Sequence, residues 1–196
     1  MEMSPVRTAT RADESAVIAT IVMAFSSDPA ARWTYPDPHD YLMHFPNFVR
    51  AFGGKAFANN TAHIAQGGAG AALWLPPNVS PDEEELGAVL EHTTSDAVRD
   101  DVSALFEQMG RYHPKEPHWY LPLLGVDGPQ QGRGHGSALL RCALETCDRD
   151  GTPAYLESSN ARNIPLYQRH GFELLGTIQA GHSPEIYPML RKPRTL

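Results

Sequence analysis

At 196 residues, with 41% apolar and 20% charged residues, the chain suits one globular domain with a sizeable core. Its 16 Lys and Arg stand against 23 Asp and Glu, a net charge of -7, and no dense basic cluster offers the face that nucleic-acid phosphates require. The longest apolar run, residues 16–25 broken only by Thr20, is well short of the roughly 20 residues of a membrane span, and the N-terminus lacks a charged-then-apolar secretion pattern, so a cytoplasmic location is expected.

Residues 5–10, PVRTAT, read as a first strand. Residues 11–25 read as a helix: Val17, Ile18, Ile21, Val22 and Phe25 recur at helical spacing, with Asp13 or Ser15 near its start. Residues 26–40 are Pro-rich and read as loop. Residues 41–52 are helical in character, with Pro46 expected to weaken or kink them. Residues 61–66 and 69–77 read as two strands of a hairpin turning at Gly67 and Gly68. Residues 80–111 are charged and helical in period; Ser80, Pro81 and the acids at 82–85 favour a helix start.

Residues 118–126, HWYLPLLGV, form an apolar strand candidate. Pro122 has no N–H for the ladder, so this strand should lose a partner or splay near that point. A helix then runs to about Arg149. It carries Cys142 and Cys147, whose five-residue spacing turns them about 140° apart, so both are expected as free thiols. Residues 153–159 read as a strand, 163–171 as a short helix closing at Gly171, and 172–179 and 185–192 as closing strands. The order is β-α-α-β-β, a helical insertion at about 80–113, then β-α-β-α-β-β. That is a mixed α/β (α+β) domain over residues 1–196.

Between the strand at 118–126 and the helix after it lies QQGRGHGSALL, residues 130–140. A strand, a glycine-rich turn and a helix start make an anion site, because the first helix N–H groups are unpaired and the dipole adds positive charge. The dinucleotide fingerprint needs G-x-G-x-x-G, but Gly132, Gly134 and Gly136 give G-x-G-x-G. A P-loop needs Lys and Ser/Thr after its last glycine, but Ser137 and Ala138 follow Gly136. What remains is another phosphate, or a turn with no ligand.

Gln131-Gly132-Arg133-Gly134-His135-Gly136 resembles the Q/R-x-x-G-x-G/A segment of the GNAT acetyltransferase superfamily, which holds the coenzyme A pyrophosphate. SSNARNIPLYQRHGFELLG, residues 158–176, resembles the family's following motif, and Val126-Asp127-Gly128-Pro129 departs slightly from its usual V-x-P. The resemblance extends over nearly the whole chain. It implies a mostly antiparallel sheet of about six to seven strands, splayed after the fourth and flanked by helices. It also implies acetyl-CoA as cofactor, with the backbone of Arg133, Gly134, Gly136 and Ser137, together with Gln131, Gly132 and His135, at the pyrophosphate. Arg133's side chain either adds a phosphate contact or stays in solvent. Leu124, Gly125 and Val126 would pair with the pantetheine arm, the Val126 amide polarising the thioester carbonyl.

Tyr167 matches the tyrosine that would protonate the leaving thiolate, a phenol of pKa ~10 being a reasonable donor. Asn163 would bind the pantetheine or cap its helix, with Asn160 competing for both roles. The strand at 118–126 holds no carboxylate, so the base falls to Glu157, to His118, or to a water chain. Nine histidines show neither H-x-x-x-H nor C-x-x-C spacing, and no metal is expected. Trp33, Tyr35, Tyr112, Trp119 and Tyr187 are candidates to wall a substrate pocket, although ordinary core packing explains each singly. The expected partner is a small-molecule amine, with no nucleic acid and no membrane, and a homodimer is allowed for. The alternatives are acetylation of peptide or protein amines, and a non-catalytic acyl-CoA-binding module.

Overall fold

A computed structural model describes residues 5–194. Seven strands form one sheet: β1 (Val6–Thr8), β2 (Ala62–Ala65), β3 (Gly70–Leu75), β4 (Trp119–Val126), β5 (Ala154–Ser158), β6 (Glu173–Leu174) and β7 (Tyr187–Arg191). Their spatial order is β1-β2-β3-β4-β5-β7-β6. Every neighbouring pair is antiparallel except β4 and β5. Helices cover both faces, because strand residues alternate and each apolar face needs its own cover. On one face α1 (Glu14–Ala24), α3 (Pro38–Gly53) and α5 (Glu83–Thr93) bury Ile21, Val49 and Leu86 against Tyr120, Leu123 and Tyr155. On the other, α7 (His135–Arg149) and α8 (Ile164–Arg169) bury Leu139, Leu144 and Tyr167 against Leu121 and Leu156.

Pro122 shapes the centre of this sheet. β4 pairs Tyr120 with Leu75 and Leu123 with Leu73, so β4 carries one residue more than β3 between those points. The bulge absorbs the missing proline N–H and shifts the side-chain phase. Leu121 therefore packs on the α7 face, and Leu123, two residues on, packs on the α1 face. The parallel pairing of β4 with β5 reaches only Leu121↔Leu156. Beyond it β5 continues on β7 alone, through Glu157↔Pro188 and Ser158↔Tyr187. The two central strands part at the proline, as its position in the sequence suggests.

Several expectations need correction. Residues 26–40 are not a plain loop: they contain α2 (Pro29–Thr34) and the start of α3. Each helix opens on an Asp-Pro pair, with the Asp28 and Asp37 carboxylates capping backbone N–H groups and proline in the first turn. Pro46, expected to weaken or kink its helix, lies inside the continuous α3. The i−4 carbonyl it leaves unpaired belongs to Leu42, an exposed residue whose carbonyl water can serve. The helix after residue 80 is capped by Asp82 rather than Ser80 or Pro81. The charged stretch divides into α5 and α6 (Asp96–Tyr112) at Thr94 and Ser95. Residues 172–179 pair only at Glu173–Leu174, with one bridge from Ile178 to Ile186. The cause is α6: Gln108 donates to the Gln179 carbonyl at 2.9 Å, and the Asp101 carboxylate accepts from the His182 N–H at 3.2 Å. These contacts draw the segment away from the sheet. Cys142 and Cys147 are both free thiols.

Candidate active site

A cleft opens where β4 and β5 part, with Leu121–Leu124 on one wall and Leu156–Ser159 on the other. At its β4 end the chain leaves Val126, makes one turn of 3-10 helix at Gly128–Gln130, and enters the glycine loop. Gln131 turns back, its side-chain amide donating to the Val126 carbonyl at 3.1 Å. Gly132 and Gly134 have φ of 75° and 87°. Side chains rarely adopt that region, so glycine is required there for the chain to expose successive N–H groups before α7. A Cβ on either residue would meet nothing within 4 Å, so the space above them is open. Arg133 is exposed, while His135, Gly136 and Ser137 are half-buried in the first turn of α7. His170, following α8, has its Nε2 3.0 Å from the Ser137 hydroxyl and ties that turn to the α8 end. A Cβ on Gly125 would lie 2.7 Å from that of Ala24, so this glycine lets α1 approach β4.

The two asparagine candidates separate by geometry. The Asn160 side chain accepts from the Arg162 N–H at 3.0 Å and caps the short turn before α8. Asn163 makes no side-chain cap and lines the cleft. Tyr167 also lines the cleft. Its ring sits edge-on to Phe172, and burial, then the nearby Asp28 charge, pushes its hydroxyl well above the ordinary phenol range. A buried thiol behaves the same way: desolvation first of all pushes Cys147 up to about 12.

Glu157 faces the α1 side of the cleft, its side chain only 4% exposed. Its Oε1 lies 3.8 Å from His113 Nδ1, and His113 Nε2 lies 2.9 Å from His118 Nε2. His118 Nδ1 sits 2.8 Å from the Glu116 carbonyl. Tyr120 and Tyr155 stack edge-on against His113. Both phenols are raised strongly by burial and then by the Glu157 charge. Glu157 and His118, which the sequence leaves as rival bases, thus belong to one chain of groups running from the cleft to a half-exposed histidine.

Asp28 is a cleft residue that the sequence analysis missed. It is 8% exposed. Oδ1 accepts from the N–H groups of Ala30 at 3.0 Å and Ala31 at 3.1 Å, and Oδ2 accepts from the Ser159 hydroxyl at 2.6 Å. Burial raises its pKa despite these donors. The Asp28-Pro29 pair was the available signal. Among the aromatic candidates, ordinary packing mostly prevails. Of the five candidates only Tyr35 lines the cleft. Trp119 is buried in the α7-face core, Trp33 packs beside Leu105 and Ile178, Tyr112 lies against Gly176, and Tyr187 donates to Glu185. The cleft wall is phenylalanine instead. Phe45, Phe48 and Phe52 follow one face of α3, and Phe25 and Phe106 flank them.

Residues 88–172 match the acetyltransferase (GNAT) family model. An uncharacterized N-acetyltransferase of Schizosaccharomyces pombe is 27% identical over 93% of this chain and 81% of its own length. Among solved structures, a histone acetyltransferase HPA2 and related acetyltransferase from Corynebacterium glutamicum is 25% identical with a TM-score of 0.70, covering 100% of this chain and 99% of that one. Arylalkylamine N-acetyltransferase 2 from Aedes aegypti shares the fold with a TM-score of 0.66 at 15% identity, over 97% and 99% of the two chains. A Drosophila melanogaster polyamine N-acetyltransferase shares it with a TM-score of 0.60 at 15% identity, over 96% and 99%. By these matches the chain is similar to GNAT acetyltransferases, and the splayed mixed sheet is the GNAT-like fold.

Proposed function

We propose that this acyltransferase of GNAT fold moves an acetyl group from acetyl-CoA to the primary amine of a small molecule by direct attack on the thioester. The observation that carries the reading is the cleft between β4 and β5. Tyr167, Asn163 and Glu157 line its walls, and the glycine loop follows in the chain beyond the β4 wall. The cradle suits a pyrophosphate, since its left-handed glycines and the first turn of α7 present N–H groups under open space.

Gln131, Gly132, Arg133, Gly134, His135, Gly136 and Ser137 would hold the pyrophosphate. The β4 segment Leu124–Val126 and Asn163 would hold the pantetheine arm. Acetyl-CoA supplies the activated thioester carbon and a thiolate leaving group. The chain's own work is then proton handling. Glu157 accepts the proton lost by the amine, and His113 and His118 carry it towards solvent. Tyr167 donates its hydroxyl proton to the thiolate. Burial holds the Tyr167 phenol in its protonated form, so the hydroxyl has a proton to give.

Neighbours on this fold are named for arylalkylamines and for polyamines, which supports a small amine. An aminonucleoside is one such amine, because TATRADE, AFSSDPAARWT and HPKEPHWYL resemble segments of puromycin N-acetyltransferase. The test is release of free thiol from acetyl-CoA, read with a thiol dye, across panels of small amines and of lysine peptides. Turnover confined to peptides would replace the small-molecule reading. Tight acetyl-CoA binding with no turnover on either panel would make the chain a binding module.

A further inference from the structure

The cleft has two unlike sides. At the reacting side stand the carboxylates of Asp28 and Glu157, and neither Lys nor Arg is among the residues lining it. Facing them, Phe45, Phe48 and Phe52 form a continuous wall on α3, with successive ring centroids 5.4 and 5.2 Å apart. Phe106 of α6 closes that wall edge-on to Phe52 at 6.0 Å. Phe48 and Phe106 are only half-buried, so their rings are presented to the space of the cleft.

Asp28 is held fixed in the cleft with no cation of its own. Three donors orient it: two amides at the start of α2 and the Ser159 hydroxyl. What acts on it is burial and these three groups, with no cationic side chain among them. A carboxylate held in a cleft without a counter-charge is costly unless a ligand supplies one. Oδ1 is filled by the two amides, while Oδ2 accepts only from Ser159 and keeps a lone pair for a further donor.

We infer that the acceptor is an amphipathic amine: one primary amine, with no carboxylate beside it, on an aromatic or branched-alkyl body. Asp28 collects its ammonium at the reacting side, and its body lies on the phenylalanine wall. An α-carboxylate would face two carboxylates. Hydroxyls or further ammonium groups along the body would lose water against phenyl rings and find no partner there. This substrate class rests on the acetyl-transfer reading above.

The test is a comparison of phenethylamine and isoamylamine with putrescine, kanamycin and phenylalanine, by thiol release and by calorimetric binding to the protein saturated with coenzyme A. Phenethylamine is expected to exceed putrescine and phenylalanine in kcat/KM by about a hundredfold. Asp28→Asn keeps an oxygen for the α2 cap but removes the charge. It is expected to raise the KM for phenethylamine by about tenfold or more, with acetyl-CoA affinity and melting temperature unchanged. Phe106→Ala should raise the KM for phenethylamine while leaving that for ethylamine alone. Putrescine, kanamycin or phenylalanine matching phenethylamine would overturn the inference, as would an unchanged KM in Asp28→Asn. Calorimetry separates the two readings. Phenethylamine binding without thiol release from any amine would sink acetyl transfer and leave the amine site standing. Absence of phenethylamine binding, with another amine turned over, would sink the amine site alone.

Discussion

His113 Nε2 lies 2.9 Å from His118 Nε2, and the contact has a direction. The Glu116 carbonyl facing His118 Nδ1 can only accept, so that nitrogen carries the hydrogen. Burial lowers the His118 pKa, and its Nε2 is then an acceptor at neutral pH. The hydrogen between the rings belongs to His113, whose Nδ1 is left free towards Glu157 Oε1. A proton taken up by Glu157 in the proposed reaction would reach His113 Nδ1 across 3.8 Å, through a bridging water. His113→Phe preserves the ring packing on Tyr120 and Tyr155 and removes the relay. It should lower kcat about tenfold with acetyl-CoA affinity unchanged, whereas Glu157→Gln should cost about 10²–10⁴. Steady-state rates and the solvent deuterium effect check this. An unaltered kcat in His113→Phe would move proton exit elsewhere.

Tyr167→Phe removes only a hydroxyl from a ring already packed on Phe172. Stability should hold within about 0.5 kcal/mol, and kcat should fall by about 10²–10⁴ if the phenol protonates the thiolate. Thermal melts and single-turnover kinetics separate the two effects. Full turnover in this variant would remove the acid assignment.

Gly134 has φ of 87°, and a side chain there costs about 1–2 kcal/mol. Gly134→Ala should weaken acetyl-CoA binding by about tenfold, because the N–H groups of the cradle turn away as the backbone relaxes. Gly128, also open around its Cα but outside the left-handed region, serves as the control, and Gly128→Ala should bind normally. Titration calorimetry of both variants decides the matter.

Arg191 on β7 is 2% exposed. It donates to the His170 carbonyl at 2.9 Å and to the Asp148 carboxylate at 2.7 Å, holding the Asp148 pKa down. Arg191→Met would strand the His170 carbonyl and leave the Asp148 carboxylate only the Arg194 N–H, and should cost about 2–3 kcal/mol, measured by urea unfolding. Pairing it with Asp148→Leu should recover part of the loss.

Burial lowers the pKa of His63, His118 and His170. Each binds a proton in the unfolded chain near the ordinary value of 6.5 before it does so in the folded one. The unfolded state therefore gains protons first as pH falls. Stability should be flat above about pH 7 and decline below about pH 6.5. Melting temperature against pH reads this directly, and His63→Phe should flatten the decline.

The glycine loop was legible in the sequence because its demand is local. Gly132 and Gly134 sit where the backbone needs positive φ, and Pro122 marks the strand that cannot keep both partners. Helix periods and the Gly67-Gly68 turn announced themselves for the same reason: neighbouring residues alone set the backbone path. Even the missed α2 had its mark in Asp28-Pro29, read as loop for its prolines. The acceptor side of the cleft had no such signature. Asp28 meets Ser159 across 131 residues. Glu157 meets His113 from a different element, and Phe52 meets Phe106 from another helix. Those meetings depend on which strands lie side by side and which helices cover them. Local conformation and the glycine turn are therefore written in adjacent residues. The charges and rings that line the cleft become neighbours only when the sheet is assembled, because a pocket is a property of distant segments brought together by burial.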